Sequence, residues 1–138
     1  MSPRIYSAGI IPVYKQNQEW KFLILRCFTY WDFPKGEIDG DEDMITTAIR
    51  ELEEETTLTH PKLLFQDFIE TEPYAKNKVA RYYLGEVKSQ SVQMLPNPEN
   101  GIVEHHEYRW LSFDEARLLL NPRLQKVIDW AKNQLEQI

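Results

Sequence analysis

A chain of 138 residues with 42% hydrophobic content can bury one core and leaves no room for a second, so a single domain over residues 1–138 is expected. The formal charge of −6 argues against broad binding to nucleic acid or anionic membrane, although a local basic patch can still hold a phosphate chain. One cysteine, Cys27, excludes an intramolecular disulfide, no apolar run approaches the roughly 20 residues of a membrane span, and the start MSPRIYSAG lacks a signal-peptide core, so a cytosolic protein is expected.

Ala8 to Tyr14 (AGIIPVY) and Trp20 to Cys27 (WKFLILRC) read as two strands of a hairpin joined by the polar turn Lys15 to Glu19. Pro12 cannot donate to a sheet ladder, which predicts an edge strand or a bulge there. Cys27, at the end of an apolar run, reads as a packed thiol. Trp31 to Phe33 comes next, then a turn at Pro34-Lys35-Gly36 and an acidic loop, Glu37 to Asp41, leading into a helix at Glu42 or Asp43. Acids at that end suit the helix dipole. Ile45, Ala48, Ile49 and Leu52 recur at helical spacing and predict a face packed on the sheet. Further strands are expected at Leu63 to Glu72, Ala80 to Val87 and Glu107 to Leu111. Ser112 and Glu115 form a capping-box pattern before a short helix, Phe113 to Leu120. Asn121 and Pro122 open a last helix whose stripe of Leu124, Val127, Ile128, Ala131, Leu135 and Ile138 should face the core. Ser89 to Gly101, polar and carrying Pro96 and Pro98, reads as a flexible insertion. The pattern is α/β: a mixed β-sheet with helices on either side, an α/β/α sandwich.

The unusual feature lies at the end of the first helix. Glu51, Glu54 and Glu55 span about a quarter of its circumference and project the same way, so they repel one another. They also occupy the last turn, where the negative dipole end favours Lys or Arg. Each violation costs a few tenths to about 1 kcal/mol on a solvated surface, which a divalent cation shared by several carboxylate oxygens would offset. The acids are hard oxygen ligands suited to Mg²⁺ or Mn²⁺, and no clustered His/Cys set argues for zinc. Glu53, about 200° from Glu51, should face solvent or a Lys partner rather than a metal. Arg50 lies at i, i+4 from Glu54 and can hold that carboxylate in orientation. Glu42 suits a helix-start anion or a further ligand, the structural role being favoured.

Written from Gly36, the run is glycine, five residues, Glu42, seven residues, then Arg50-Glu51-Leu52-Glu53-Glu54-Glu55-Thr56-Thr57-Leu58. It resembles the signature box of the Nudix hydrolases at every defined position but one: Thr57 stands where the family has glycine. A β-branched residue suits the left-handed conformation poorly, so either the helix ends differently or Thr57 is strained. The resemblance implies a Nudix-type sandwich, metal binding by Glu51, Glu54 and Glu55, and phosphate contact by Lys35.

Outside the box, Val103-Glu104-His105-His106-Glu107-Tyr108-Arg109-Trp110-Leu111 resembles the asymmetrical diadenosine tetraphosphate hydrolase branch of that family, with Glu104 at the position of an extra glutamate. As a loop carboxylate it is a candidate metal ligand or the base that deprotonates water. His105 and His106 are adjacent, so at most one faces the site. Trp31-Asp32-Phe33-Pro34-Lys35-Gly36, Tyr74-Ala75-Lys76-Asn77-Lys78 and Tyr82-Tyr83-Leu84 resemble the same branch more weakly. Aromatics among lysines suit flat bases on a polyphosphate chain, which makes Tyr74, Lys76, Lys78 and Tyr82 candidates for substrate binding, with sheet packing the competing role for Tyr82, Tyr83 and Trp110. The expected activity is metal-dependent hydrolysis of a nucleoside polyphosphate, with diadenosine tetraphosphate giving ATP and AMP. Glu54, Glu104 and Arg50 are the candidate catalytic residues. The alternatives are removal of pyrophosphate from an RNA 5′ end or a nucleoside triphosphate, and, from another class, a nucleotide-sensing module that has lost turnover at Thr57.

Overall fold

Residues 3–138 are described by the computed structural model. Their strands β1 (Ile5–Gln16), β2 (Glu19–Cys27), β3 (Tyr30–Asp32), β4 (Lys35–Glu37), β5 (Lys62–Glu70), β6 (Lys78–Glu86) and β7 (Glu107–Leu111) join in one sheet. Its main order is β3-β2-β1-β6-β5, with β4 pairing the start of β1 and β7 pairing β2. The β1–β6 pair is parallel and the others are antiparallel, so the sheet is mixed. Helix α1 (Met44–Thr56) covers one face; α2 (Phe113–Leu119) and α3 (Pro122–Leu135) cover the other. The expected α/β/α arrangement is present.

Alternation along the central strands sends Ile11, Val13, Phe22 and Ile24 toward α3, and Ala8, Ile10, Leu23 and Leu25 toward α1. On α1, Ala48 and Leu52 are buried while Ile45 and Ile49 pack at the margin of that cluster. A fully buried Leu or Ile contributes about 1.5–3 kcal/mol, so the apolar stripe is what fixes the rotation of α1 about its axis. The carboxylates beside the stripe are thereby held at the sheet rim.

Several expectations need correction. Pro12 lies on a central strand, opposite Gly85 of β6. The Ile10 N–H donates to the Pro34 carbonyl, and the two-residue period turns the Pro12 nitrogen to that same flank. There β1 has left β4 at Gly9 and takes up β2 only at Val13, so the missing N–H falls in a gap of the ladder. Lys35-Gly36 is part of β4 rather than a turn, because Gly9 lets the two backbones approach: a Cβ there would collide with the Pro34 carbonyl. Ile138 lies beyond α3 and is exposed. The segment from Ser89 to Gly101 has no regular structure but is anchored: Gln93 N–H donates to the Thr56 carbonyl, Trp110 Nε1 donates to the Gln90 carbonyl, and Val92 is buried in the α1 cluster.

Candidate active site

Asp43, not Glu42, caps α1, its carboxylate accepting from Thr46 N–H at 2.8 Å. That leaves Glu42 free to receive Arg50 bidentately, at 2.9 Å from both Nε and Nη2, and the Thr47 hydroxyl at 2.7 Å. These hydrogen bonds, the guanidinium's first, hold the Glu42 carboxyl down to about 2. Both of its oxygens are thus engaged by Arg50. The remaining arm of Arg50, Nη1, bonds Glu51 at 2.9 Å and Glu54 at 3.1 Å. Arg50 thus ties the helix start to the two carboxylates a turn and more away, as expected for a residue that orients acids. Gly36 allows this crowding, since any Cβ there would strike the Glu51 carboxylate.

Glu55 points away from Arg50. It is 9% exposed, its Oε1 lies 3.3 Å from His105 Nε2, and its Oε2 is buried with no hydrogen-bond partner. Burial, then the nearby Glu51 charge, raises its carboxyl well above the usual range despite the opposing Lys35. Burial also raises Glu51 and lowers His105. Glu55, Glu104 and His105 offer ligand atoms within 4.8 Å of one another, and Glu51, Glu54, Glu55, Glu104 and His105 line one hollow with Asn97 and Pro98. A buried, unpartnered carboxylate oxygen among four acids is what a divalent cation would satisfy, so the donor set fits Mg²⁺ or Mn²⁺. His105 is the histidine that faces the acids; His106 instead accepts from Phe28 N–H at 3.3 Å.

A cleft of about 490 Å³ opens beside the acids, lined by Asp32, Lys35, Glu55, Glu104, His105 and the aromatics Phe28 and Tyr30. Lys35 is held by Asp32 at 3.3 Å, whose charge is the main cause raising its ammonium pKa. Tyr82 is fully buried, its ring edge against Phe33 and its hydroxyl donating to Asp32 at 2.8 Å. No face is left to stack on a base, so the expectation of substrate binding by Tyr82 is corrected: it braces Asp32 and, through it, Lys35. Tyr74 lies under the Arg123 guanidinium at 3.8 Å in a separate hollow with α3. Lys76 is exposed and Lys78 half-buried; among the described residues neither lines the cavities beside the acids.

The sequence reading missed Asp32, Asn97, Phe28 and Tyr30. Asp32 had a signal, an acid three residues before Lys35. Asn97, whose amide donates to Glu104 at 2.7 Å, sits in an aperiodic loop that carries none. Thr57 takes the left-handed conformation, φ 66°, with its N–H on the Glu53 carbonyl at 2.9 Å. The helix therefore ends as glycine would end it, and the threonine bears the strain.

Compared with known proteins, residues 3–131 match the family model described as NUDIX domain. The chain belongs to the Nudix family. It is 33% identical over 119 residues, covering 81% of this chain and 77% of the relative, to the asymmetrical bis(5′-nucleosyl)-tetraphosphatase of Rattus norvegicus. The crystal structure of a C. elegans Ap4A hydrolase binary complex shares the fold at TM-score 0.80 and 23% identity, over 97% of this chain and 99% of that one. So does the NUDIX domain of Shewanella oneidensis NrtR complexed with ADP ribose, at TM-score 0.75 and 19% identity, over 98% and 90%. This Nudix protein is accordingly a hydrolase of phosphoanhydride bonds. Among its described residues no helix is long and apolar enough to cross a membrane.

Proposed function

We propose that this Nudix hydrolase cleaves dinucleoside polyphosphates asymmetrically, taking diadenosine tetraphosphate to ATP and AMP with Mg²⁺, and that Mn²⁺ can substitute. The observation that carries the reading is the buried, unpartnered Glu55 oxygen among Glu51, Glu54, Glu104 and His105, opening onto a cleft with Lys35. The similarity to the rat tetraphosphatase supports the substrate.

Glu51, Glu54 and Glu55 would hold the cation, which when bound neutralises phosphate oxygens and favours attack by water. Arg50 fixes Glu51 and Glu54 so that both keep their orientation when the phosphate chain arrives. Lys35, aimed by Asp32, contacts a phosphate. Glu104 is solvent-exposed in its loop and bonded through one oxygen to Asn97, leaving the other to accept the proton of the attacking water. Lys76 and Lys78, outside the cleft, draw the outer phosphates electrostatically, while Tyr74 stays in its separate hollow against Arg123. The domain acts as a cytosolic enzyme on small nucleotides.

Chromatography of the products tests the reading. With Mg²⁺ present, diadenosine tetraphosphate should yield equal ATP and AMP. Two ADP, or no turnover while triphosphorylated RNA or a nucleoside triphosphate is cleaved, would refute it.

A further inference from the structure

The mouth of the 490 Å³ cleft carries two large aromatic side chains that nothing in the fold requires to be there: Phe28 and Tyr30 are each 71% exposed. Phe28 is the first residue of the two-residue turn Phe28-Thr29 between β2 and β3, and Tyr30 opens β3. Phe28 has φ 55° and Thr29 does not take a positive φ, a pattern whose first position favours glycine. A bulky residue in the left-handed region is rare, and such outliers gather at ligand clamps. The conformation is fixed from three sides. Arg26 Nη1 donates to the Phe28 carbonyl at 2.6 Å, Phe28 N–H donates to His106 Nδ1 at 3.3 Å, and the Phe28 ring meets the His106 ring edge-on at 5.2 Å. An exposed ring that is strained, braced and open to water gains nothing from folding. It gains when a flat apolar surface covers it.

We propose that Phe28 and Tyr30 form a stacking platform for a nucleobase, with the attached phosphates running inward past Lys35 toward the carboxylates. The platform rests on the reading that this cleft receives a nucleotide. Lys35 and Glu55 are the withdrawn part of this lining, half-buried and buried, while the two aromatics are exposed, which suits phosphates held inside and a base outside. Its volume falls within the usual range for small-ligand clefts, roughly 300–1,000 Å³. Stacking reads a π face without reading base edges, which makes the platform tolerant between purines.

Calorimetry with AMP and with ribose 5-phosphate tests the platform without needing turnover. AMP should bind at least about tenfold more tightly than ribose 5-phosphate, a difference of about 1.4 kcal/mol. Phe28→Gly and Tyr30→Ser should each remove most of that advantage while leaving ribose 5-phosphate unaffected. Phe28→Gly should also keep or raise the melting temperature, because glycine relieves the positive φ; Tyr30→Ser provides a second variant at an exposed strand position. Equal binding of the two ligands, or AMP affinity unchanged in both variants, overturns the platform. Base-dependent AMP binding in a protein that fails to cleave diadenosine tetraphosphate would refute the substrate assignment and leave the platform standing.

Discussion

Replacing Glu55 by Gln keeps the side chain's shape and removes its charge, and the structure predicts opposite effects with and without metal. Without a cation, the wild-type carboxylate is 9% exposed, has one buried unpartnered oxygen and faces other acids. Leaving such a group unsatisfied costs about 1–3 kcal/mol. The amide has no charge to desolvate and can donate to a neighbouring carboxylate, so Glu55→Gln should stabilise the metal-free protein by about 1–2 kcal/mol. For this chain length that is a rise of about 3–8 °C in melting temperature. With Mg²⁺ at a hundred times its dissociation constant the wild type gains about 2.7 kcal/mol, and a variant with a weakened site gains much less, so the order reverses. Acidity gives a second reading. The folded state holds the Glu55 proton more tightly than the unfolded chain, so metal-free stability falls as pH rises from the ordinary carboxylate value to the raised native one. His105, lowered by burial, contributes with the other sign: stability rises with pH between its depressed native value and the ordinary histidine one. Glu55→Gln should remove the Glu55 share of the first slope, leaving that of Glu51, and keep the second. Scanning calorimetry in EDTA and in Mg²⁺ measures both effects. A variant less stable than wild type in EDTA, or one that gains as much from Mg²⁺, would refute the reasoning.

Arg50→Lys should lower kcat by about 10–100-fold with a smaller change in stability, since one ammonium cannot replace the guanidinium's simultaneous bonds to Glu42, Glu51 and Glu54; steady-state kinetics and thermal melts separate the two. Thr57→Gly should raise stability by about 0.5–1 kcal/mol, because relief of a β-branched residue at φ 66° outweighs the greater freedom of glycine in the unfolded chain. A fall in urea midpoint would show that the Thr57 hydroxyl bond to the Thr56 carbonyl dominates instead.

Local periodicity carried most of the fold. The apolar stripes of α1 and α3, the capping box at Ser112 and the strand at Glu107–Leu111 lie where the pattern put them, because each depends on neighbours within a turn or two. Pro12 misled because its place depends on a handover between β4 and β2, strands separated from it in sequence. The box acids were legible since one helix turn brings them together. Glu104 was legible by resemblance alone, and the approach of His105 to Glu55 depends on where the loop before β7 returns to the sheet. Tyr82 was misassigned because composition cannot tell which face of a strand meets the core; alternation along β6 sends its ring inward.

The central claim, that the gathered carboxylates hold a divalent cation against a polyphosphate, is tested most directly by measuring diadenosine tetraphosphate hydrolysis against Mg²⁺ concentration in wild type and Glu54→Gln. The account predicts no turnover in EDTA, saturable activation by Mg²⁺, and a loss of at least about 100-fold in kcat for the variant. Turnover that persists in EDTA, or a Glu54→Gln protein as active as wild type, would contradict it.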